Sequence, residues 1–458
     1  MTIWQPDLSR ASGPIYVAIA DAIAREVDAG ILSPGAKLPT HRELAEGLEV
    51  ALTTVTRGYA EAERRGLVSG EVGRGTFVRG GAGREATTER GTAPALIDLT
   101  VNALLPYAHA AQLTASMARL LSREDPIRML DYQPFQGDER QRTAGALWME
   151  RAGVAASPSR VLVTSGAQHA MAVALSTLAN PGDVVLTERL TYSGMKSLAN
   201  HLHVRLVGLA MDEHGLLPDA LETACRQGGA KALYTMPTLH NPAGIVMPEE
   251  RRAEIAAIAD RFALPVLEDD SYGFLVPDVK PLATFSPNVY YLCGTSKSLA
   301  ASLRIGFLLC PPDMVDRLTA AISSTTFMAS PPMGAVVAEW IFDGTADRIM
   351  AWKRKEVAAR REVAAAVLGR FDNTGHPMAQ HLWLELPDPW RTDQFVSQAR
   401  MRGVLVSPAE DFVVDRSPPP YAVRVTLGSV RTRDALKRGL TTLAEILDAP
   451  AEPCRAMA

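Results

Sequence analysis

Between Arg79 and Pro94 the chain reads RGGAGREATTERGTAP, a stretch of glycine, threonine, alanine and charge in which no apolar residue recurs at a helical or strand period. Such a segment has nothing to bury, so the chain must fold as separate units on either side of it. This divides the sequence into a first unit at 1–79, a linker at 80–95 and a second unit at 96–458, whose smaller C-terminal part covers about 351–458. The full length of 458 residues, about three times the ~150-residue prior for one domain, agrees with two or three folded bodies. No internal repeat is visible, which argues against solenoids and propellers.

Hydrophobic residues make up 47% of the chain and charged residues 21%, the balance of a globular protein with a sizeable core. The 47 lysines and arginines against 51 acids leave a formal charge of −4, so attraction to nucleic acid or an anionic membrane is not a global property and any nucleic-acid binding must be local. Cys225, Cys293, Cys310 and Cys454 are far apart without CxxC spacing, which favours neither a disulfide framework nor a zinc site and suits a reducing cytoplasm. The start MTIWQPDLSR lacks the order of a signal peptide and no apolar run approaches ~18 residues, so a soluble cytoplasmic protein is expected.

In the first unit, Ile15, Ile19, Ile23 and Val27 recur every fourth residue and predict a helix that Gly30 can end. After the turn Ser33-Pro34-Gly35, Thr40 and Glu43 have capping-box spacing and start a second helix through Leu44 and Leu48. Ala51 to Arg65 gives a third helix stopped by Gly66, and Leu67-Val68 and Thr76-Phe77-Val78 flank a glycine-rich tip as two strands. The result is a helix-turn-helix with a wing. Nine basic residues against ten acidic ones in residues 1–80 leave a protein-interaction module as the bland alternative. Arg42, Thr53, Thr54, Thr56, Arg57 and Arg74 nevertheless fall where one edge could collect them.

The segment LSPGAKLPTHRELAEGL…VALTTVTRGYAEAERRGLVSGEVGRGTFV resembles the winged helix-turn-helix of GntR-type regulators. The resemblance implies contact with double-stranded operator DNA through Arg42, Thr53, Thr54, Thr56, Arg57 and the wing tip with Arg74, Gly75 and Thr76. Ala51-Leu52 stands where the family usually has Ser-Arg, a departure that bears on operator preference; Leu52 could still meet a thymine methyl.

The second unit carries four separated motifs. Val161 to Thr164 reads as a strand running into Ser165-Gly166-Ala167-Gln168 and a helix, a turn whose free amides and helix dipole suit an anion. PTLHNPAG holds Asn241 before Pro242, at least a turn. LPVLEDDSYGFL ends an apolar strand in Glu268-Asp269-Asp270 followed by Tyr272, at the edge where open α/β sheets place their sites; without a histidine cluster, metal is the poorer use and none is expected. YYLCGTSKSLAASLRIGFLL places Ser296 and Lys297 after a strand, with Arg304 downstream. A solvated loop lysine is the ordinary reading of that position. Anion turn, strand-end carboxylate, neutral donors and amine together meet the needs of pyridoxal phosphate.

In this order the motifs resemble aminotransferases of the fold-type I pyridoxal-phosphate class, from about Leu96 to the C-terminus. The resemblance implies an α/β architecture with a large, mostly parallel domain and a smaller C-terminal α+β domain. It implies Lys297 as the Schiff-base lysine, Asp269 at the pyridine nitrogen, and Asn241 and Tyr272 at the phenolate oxygen. Ser165, Gly166, Ala167, Ser296 and Arg304 fall at the phosphate and Tyr192 on the ring, where Lys297, Asp269 and Tyr192 form the catalytic set. Tyr132 matches a tyrosine that reaches the partner subunit's phosphate, implying a dimer, and Arg424 matches the arginine that forks onto a carboxylate. Ala301-Ser302 stands where relatives often carry Pro-Gly, and Gln141 replaces a usual leucine; both touch loop geometry and not the reactive groups.

A GntR-like winged helix joined to an aminotransferase-like domain is the arrangement of the MocR subfamily, and it implies a head-to-tail homodimer. The leading expectation is a transcriptional regulator that senses an amine or amino acid by Schiff-base exchange at Lys297. The alternatives are a working aminotransferase with a secondary DNA-binding module, and a first unit that binds protein.

Overall fold

The computed structural model describes residues 14–28, 36–64, 67–71, 75–78, 96–103, 110–123, 129–415 and 417–449, with Trp4, Pro6 and Leu32 besides. The expected linker at 80–95, the turn Ser33-Pro34-Gly35, the helix stops Gly30 and Gly66, the wing residue Arg74 and Cys454 lie outside the described residues. The chain divides into two compact units, Met1–Ala93 and Pro94–Ala458.

In the first unit α1 spans Ile15–Asp28, α2 His41–Gly47 and α3 Leu52–Arg64. The capping box at Thr40 forms in both directions: the Thr40 amide donates to Glu43 Oε2 at 2.7 Å and the Glu43 amide to Thr40 Oγ1 at 3.3 Å. Of the predicted stripe, Ile19 and Ile23 are fully buried and join Leu38, Leu44, Val55, Tyr59, Val68 and Val78 in one core, while Ile15 stays exposed at the helix start. Strands β1 (Val68–Glu71) and β2 (Gly75–Val78) pair antiparallel from Val68↔Val78 to Glu71↔Gly75. The Leu38 amide donates to Thr76 O at 2.9 Å, which ties the wing to the approach to α2.

The second unit is built on a seven-stranded sheet. In chain order its strands are β3 Val161–Thr164, β4 Val184–Glu188, β5 Arg205–Leu209, β6 Ala230–Thr235, β7 Val266–Asp269, β8 Val289–Gly294 and β9 Gly306–Leu309. Their spatial order is β3-β9-β8-β7-β6-β4-β5, parallel except for β9, which runs against both neighbours. The inner strands read as continuous apolar runs because both faces are covered. Alternation then sorts the side chains: Leu162, Leu267, Leu292 and Leu308 pack under α4 (Ala167–Leu178), while Val161, Val163, Cys293 and Phe307 pack on the other face against helices Glu139–Glu150 and Pro331–Phe342. Among the described residues no helix is long and apolar enough to cross a membrane.

The helix Thr345–Leu368 leads into a smaller four-stranded sheet made of β10 Asn373–Thr374, β11 His381–Glu385, β12 Ser407–Pro408 and β13 Ala422–Thr426, in the order β10-β11-β13-β12. Val423 and Val425 face a core with Leu382, Leu384, Phe395 and Leu440, so Arg424 between them is presented on the opposite face. The strand Ile97–Asp98 pairs with Val404–Leu405, and Thr426 donates to Leu99 O at 2.9 Å, which places Thr100–Ala103 alongside Arg424.

Candidate ligand site

The ends of β3, β7 and β8 and the face of β13 carrying Arg424 converge on one cavity of about 280 Å³. Ala167, Tyr192, Asn241, Asp269, Tyr272, Ser296, Lys297, Arg304 and Arg424 all line it, although the sequence separates them by up to 257 positions. Ser165 and Gly166 stand behind its wall, against Arg304.

One end suits an anion. The chain leaves β3 through Gly166, whose φ of +94° favours glycine, and enters α4 with no side-chain cap on its first amides. Arg304, itself left-handed at φ 49°, donates to Ser165 O at 3.2 Å and to Ser296 Oγ at 3.1 Å. A Cβ on residue 166 would lie 2.7 Å from Arg304 Nη2, so glycine is what admits the guanidinium. Free amides, a helix N-terminus and an arginine then point at the same volume.

Opposite charge sits deeper. Asp269 closes β7 and is held by Tyr234 Oη at 3.0 Å, Ser271 Oγ at 2.6 Å and the Ser271 amide at 3.1 Å. Burial pushes its pKa up, against those hydrogen bonds, and among the described residues it forms no ion pair. A buried carboxylate lacking a cation is costly, so the position suits a cationic group on a ligand. Its neighbours in the EDD run turn away: Glu268 takes the Leu282 and Ala283 amides, each at 2.8 Å, and Asp270 accepts from Tyr291 Oη at 2.5 Å.

Lys297 lies in the short helix Thr295–Ser298 after β8, and its Nζ donates to Asn102 O. Burial lowers its pKa to about 8, helped by the positive charges of Arg424 and Arg304 and opposed by Asp269. The amine thus reaches its neutral, nucleophilic form more easily than a surface lysine does. Arg424 donates to Asn241 Oδ1 at 2.8 Å, Thr100 O at 2.6 Å and Ser407 Oγ at 3.3 Å, and its guanidinium lies 4.8 Å from the Phe412 ring centroid. Its Nε is buried without a partner. Tyr192, at the start of helix Ser193–His201, lies over Gly194, where any Cβ would enter the ring.

Tyr132 does not reach the cavity; it is 76% exposed and packs on Phe327 with ring centroids 5.1 Å apart. In the first unit Arg42, Thr53 and Thr56 are exposed and Thr54 is half-buried. Thr56 Oγ1 is engaged by Leu52 O at 3.0 Å, and the exposed Arg57 stacks on Tyr16 at 4.1 Å. Gly75 and Thr76 begin β2.

Residues 94–443 match the aminotransferase class I and II family, and residues 15–78 match the bacterial regulatory proteins of the gntR family. The uncharacterized HTH-type transcriptional regulator YdeF of Bacillus subtilis is 31% identical over 448 residues, 97% of each chain. The probable rhizopine catabolism regulatory protein MocR of Rhizobium meliloti is 27% identical over 394 residues, 79% of this chain and 78% of that one. The chain belongs to the MocR-type GntR regulators. Among solved structures, the Pyrococcus horikoshii kynurenine aminotransferase superposes with a TM-score of 0.72 at 26% identity, over 77% of this chain and 91% of that one. A MocR-type chain is a GntR-type transcriptional regulator fused to an aminotransferase-like domain, as the sequence motifs implied.

In and behind the wall of the MocR-type cavity stand three residues that no sequence motif marked, of which Asn102 lines the cavity itself. Asn102 meets both Lys297 and Tyr272, and Tyr234 supplies a bond to Asp269. Lys353, on the helix Thr345–Leu368, is fully buried and donates to the Lys297 main-chain oxygen at 2.8 Å. Burial first, and then the charge of Lys297, pulls its pKa down to about 7.

Proposed function

We propose that this regulator binds pyridoxal phosphate in the 280 Å³ cavity and uses it to detect a small amine or amino acid. What supports the reading is the donor set: an anion end built by Gly166 and Arg304, a buried carboxylate at Asp269 with no cation of its own, and a low-pKa amine at Lys297 between them. When bound, the group supplies an aldehyde that condenses with amines and an electron-withdrawing ring. Lys297 would hold the aldehyde carbon, Asp269 the ring nitrogen, Asn241 and Tyr272 the ring oxygen, and Tyr192 the ring face. Ser165, Gly166, Ala167, Ser296 and Arg304 would hold the phosphate.

An arriving amine must take the place of Lys297 Nζ, and a carboxylate on it must draw Arg424 from Asn241 and Thr100. The first unit reads double-stranded operator DNA through Arg42, Thr53, Thr54, Thr56, Arg57 and the wing with Arg74, Gly75 and Thr76. Two chains act together as a head-to-tail homodimer, in which the exposed Tyr132 completes the phosphate site of the partner. Domain boundaries at 79/80 and 95/96 follow from the same reading, and the setting is the cytoplasm.

Loading the full chain with pyridoxal phosphate, reducing it with borohydride and mapping the labelled peptide tests the proposal. Label on Lys297 in one-to-one stoichiometry is the expected result. Label scattered over surface lysines, or none, contradicts it.

A further inference from the structure

Asn102 is where the two groups proposed to touch the cofactor's reacting end meet. Its main-chain oxygen accepts from Lys297 Nζ, and its side-chain Nδ2 lies 2.9 Å from Tyr272 Oη. The residue is buried, and its other contacts are equally defined: Gln380 Nε2 donates to Oδ1 at 2.6 Å, and Nδ2 lies 3.2 Å from His381 Nδ1. His381 Nε2 lies 3.0 Å from the carbonyl oxygen of His240.

Counting protons settles the direction of every bond in this chain of contacts. A carbonyl oxygen only accepts, so His381 carries its proton on Nε2. Burial drives the His381 pKa down to about 3, so the ring is neutral and Nδ1 is a bare lone pair. Asn102 must therefore turn its NH₂ toward His381, and the opposite amide orientation would set Oδ1 against that lone pair. The same NH₂ then spends its second hydrogen on Tyr272, whose oxygen accepts. Gln380 also hydrogen-bonds Tyr272 in the sense that favours the phenolate, as a donor, so the Tyr272 hydroxyl hydrogen is consumed by neither amide and is left for a group in the cavity that Tyr272 lines.

We propose that Asn102 is a positioning residue: fixed by His381 and Gln380, it holds the Tyr272 hydroxyl as a hydrogen-bond donor toward the ring oxygen of the cofactor. This rests on the pyridoxal-phosphate reading above. A donor on that oxygen draws electron density from it and weakens its hold on the proton shared with the Lys297 nitrogen. Arg424, Tyr192 and Asp269 are the charged and titratable groups that also act on Tyr272, and none of them is altered in the test.

The experiment is a pH titration of the visible absorbance of the cofactor-loaded full chain, for wild type, Asn102→Ala, Tyr272→Phe and the double variant, with loading stoichiometry and melting temperature recorded. Both single variants should move the midpoint upward by about one to two pH units, the equivalent of a hydrogen bond to a charged group. The double variant should move no further than Tyr272→Phe. Asn102→Leu, which keeps the bulk of residue 102 but cannot hydrogen-bond Tyr272, should shift the midpoint in the same direction, and it decides the matter if Asn102→Ala does not fold. An unmoved midpoint in loaded Asn102→Ala, or a shift that persists in full on the Tyr272→Phe background, overturns the proposal. Failure of wild type to load at all would count against the cofactor reading instead.

Discussion

Arg424 Nη1 donates to Asn241 Oδ1 at 2.8 Å, which joins the arginine proposed for an effector carboxylate to the asparagine proposed for the cofactor ring. The strand pairing of β13 with β11 and β12 aims Arg424 this way, so a carboxylate entering the cavity competes directly with Asn241 and Thr100 for one guanidinium. Arg424→Met keeps the bulk and removes the fork. Affinity for carboxylate-bearing amines should fall about 10- to 100-fold, the cost of roughly 1.5–3 kcal/mol for bonds to a charged group, while simple amines bind as before. Absorbance titration of the loaded protein measures both.

Gly166 tests the anion end. Alanine at this position must adopt φ +94° and place its Cβ 2.7 Å from Arg304 Nη2, so the turn and the arginine cannot both keep their places. Gly166→Ala should weaken pyridoxal phosphate binding by at least about tenfold, and should weaken binding of the dephosphorylated cofactor much less. Equal losses for both ligands would show that the turn does not hold phosphate.

Asp269 carries a pH signature with a definite sign. Burial raises its folded pKa, so its contribution to stability is greatest below the unfolded value of ~3.9 and is lost as pH rises through the raised folded value. In the cofactor-free protein at neutral pH the carboxylate is therefore a cost. Asp269→Asn should gain on wild type as pH is raised from 3 to 7 in cofactor-free urea denaturation, yet lose most of the stabilisation that cofactor gives wild type.

Lys353 has the complementary sign. Its pKa falls from 10.5 to about 7, so stability is fully present above 10.5 and is lost as pH falls through 7. Lys353→Met removes this dependence. Relative to wild type, the variant should be most stable near pH 7 and lose that advantage by pH 10, over a span on the order of a few kcal/mol. A difference independent of pH would mean that the buried amine is not titrating in this window.

Lys297, Asp269 and the Ser165–Ala167 turn were legible in sequence because each follows the end of an apolar run, and parallel strands bring such ends to one edge; Arg304 was legible because it precedes the antiparallel β9, whose start lies at that same edge. The capping box at Thr40 was legible because both partners lie within four residues. Asn102 was not: TVNAL reads as an ordinary loop, and its partners Tyr272 and His381 are 170 and 279 positions away. Lys353 was hidden for another reason. In RIMAWKRKEV it is one of several charges on a helix, and only the packing of that helix over Lys297 shows which of them is buried. Local patterns announce strand ends and caps, whereas a network closed by tertiary contacts leaves no periodic trace.

The proposed coupling of amine capture at Lys297 to operator binding is tested by operator retardation with the folded, full-length Lys297→Ala protein, with and without an amine that alters the wild-type spectrum. Wild type should change its operator affinity on adding the amine, by the roughly five- to 150-fold typical of a coupling of about 1–3 kcal/mol, and Lys297→Ala should bind the operator without responding. A Lys297→Ala protein that answers the amine as wild type does would contradict it.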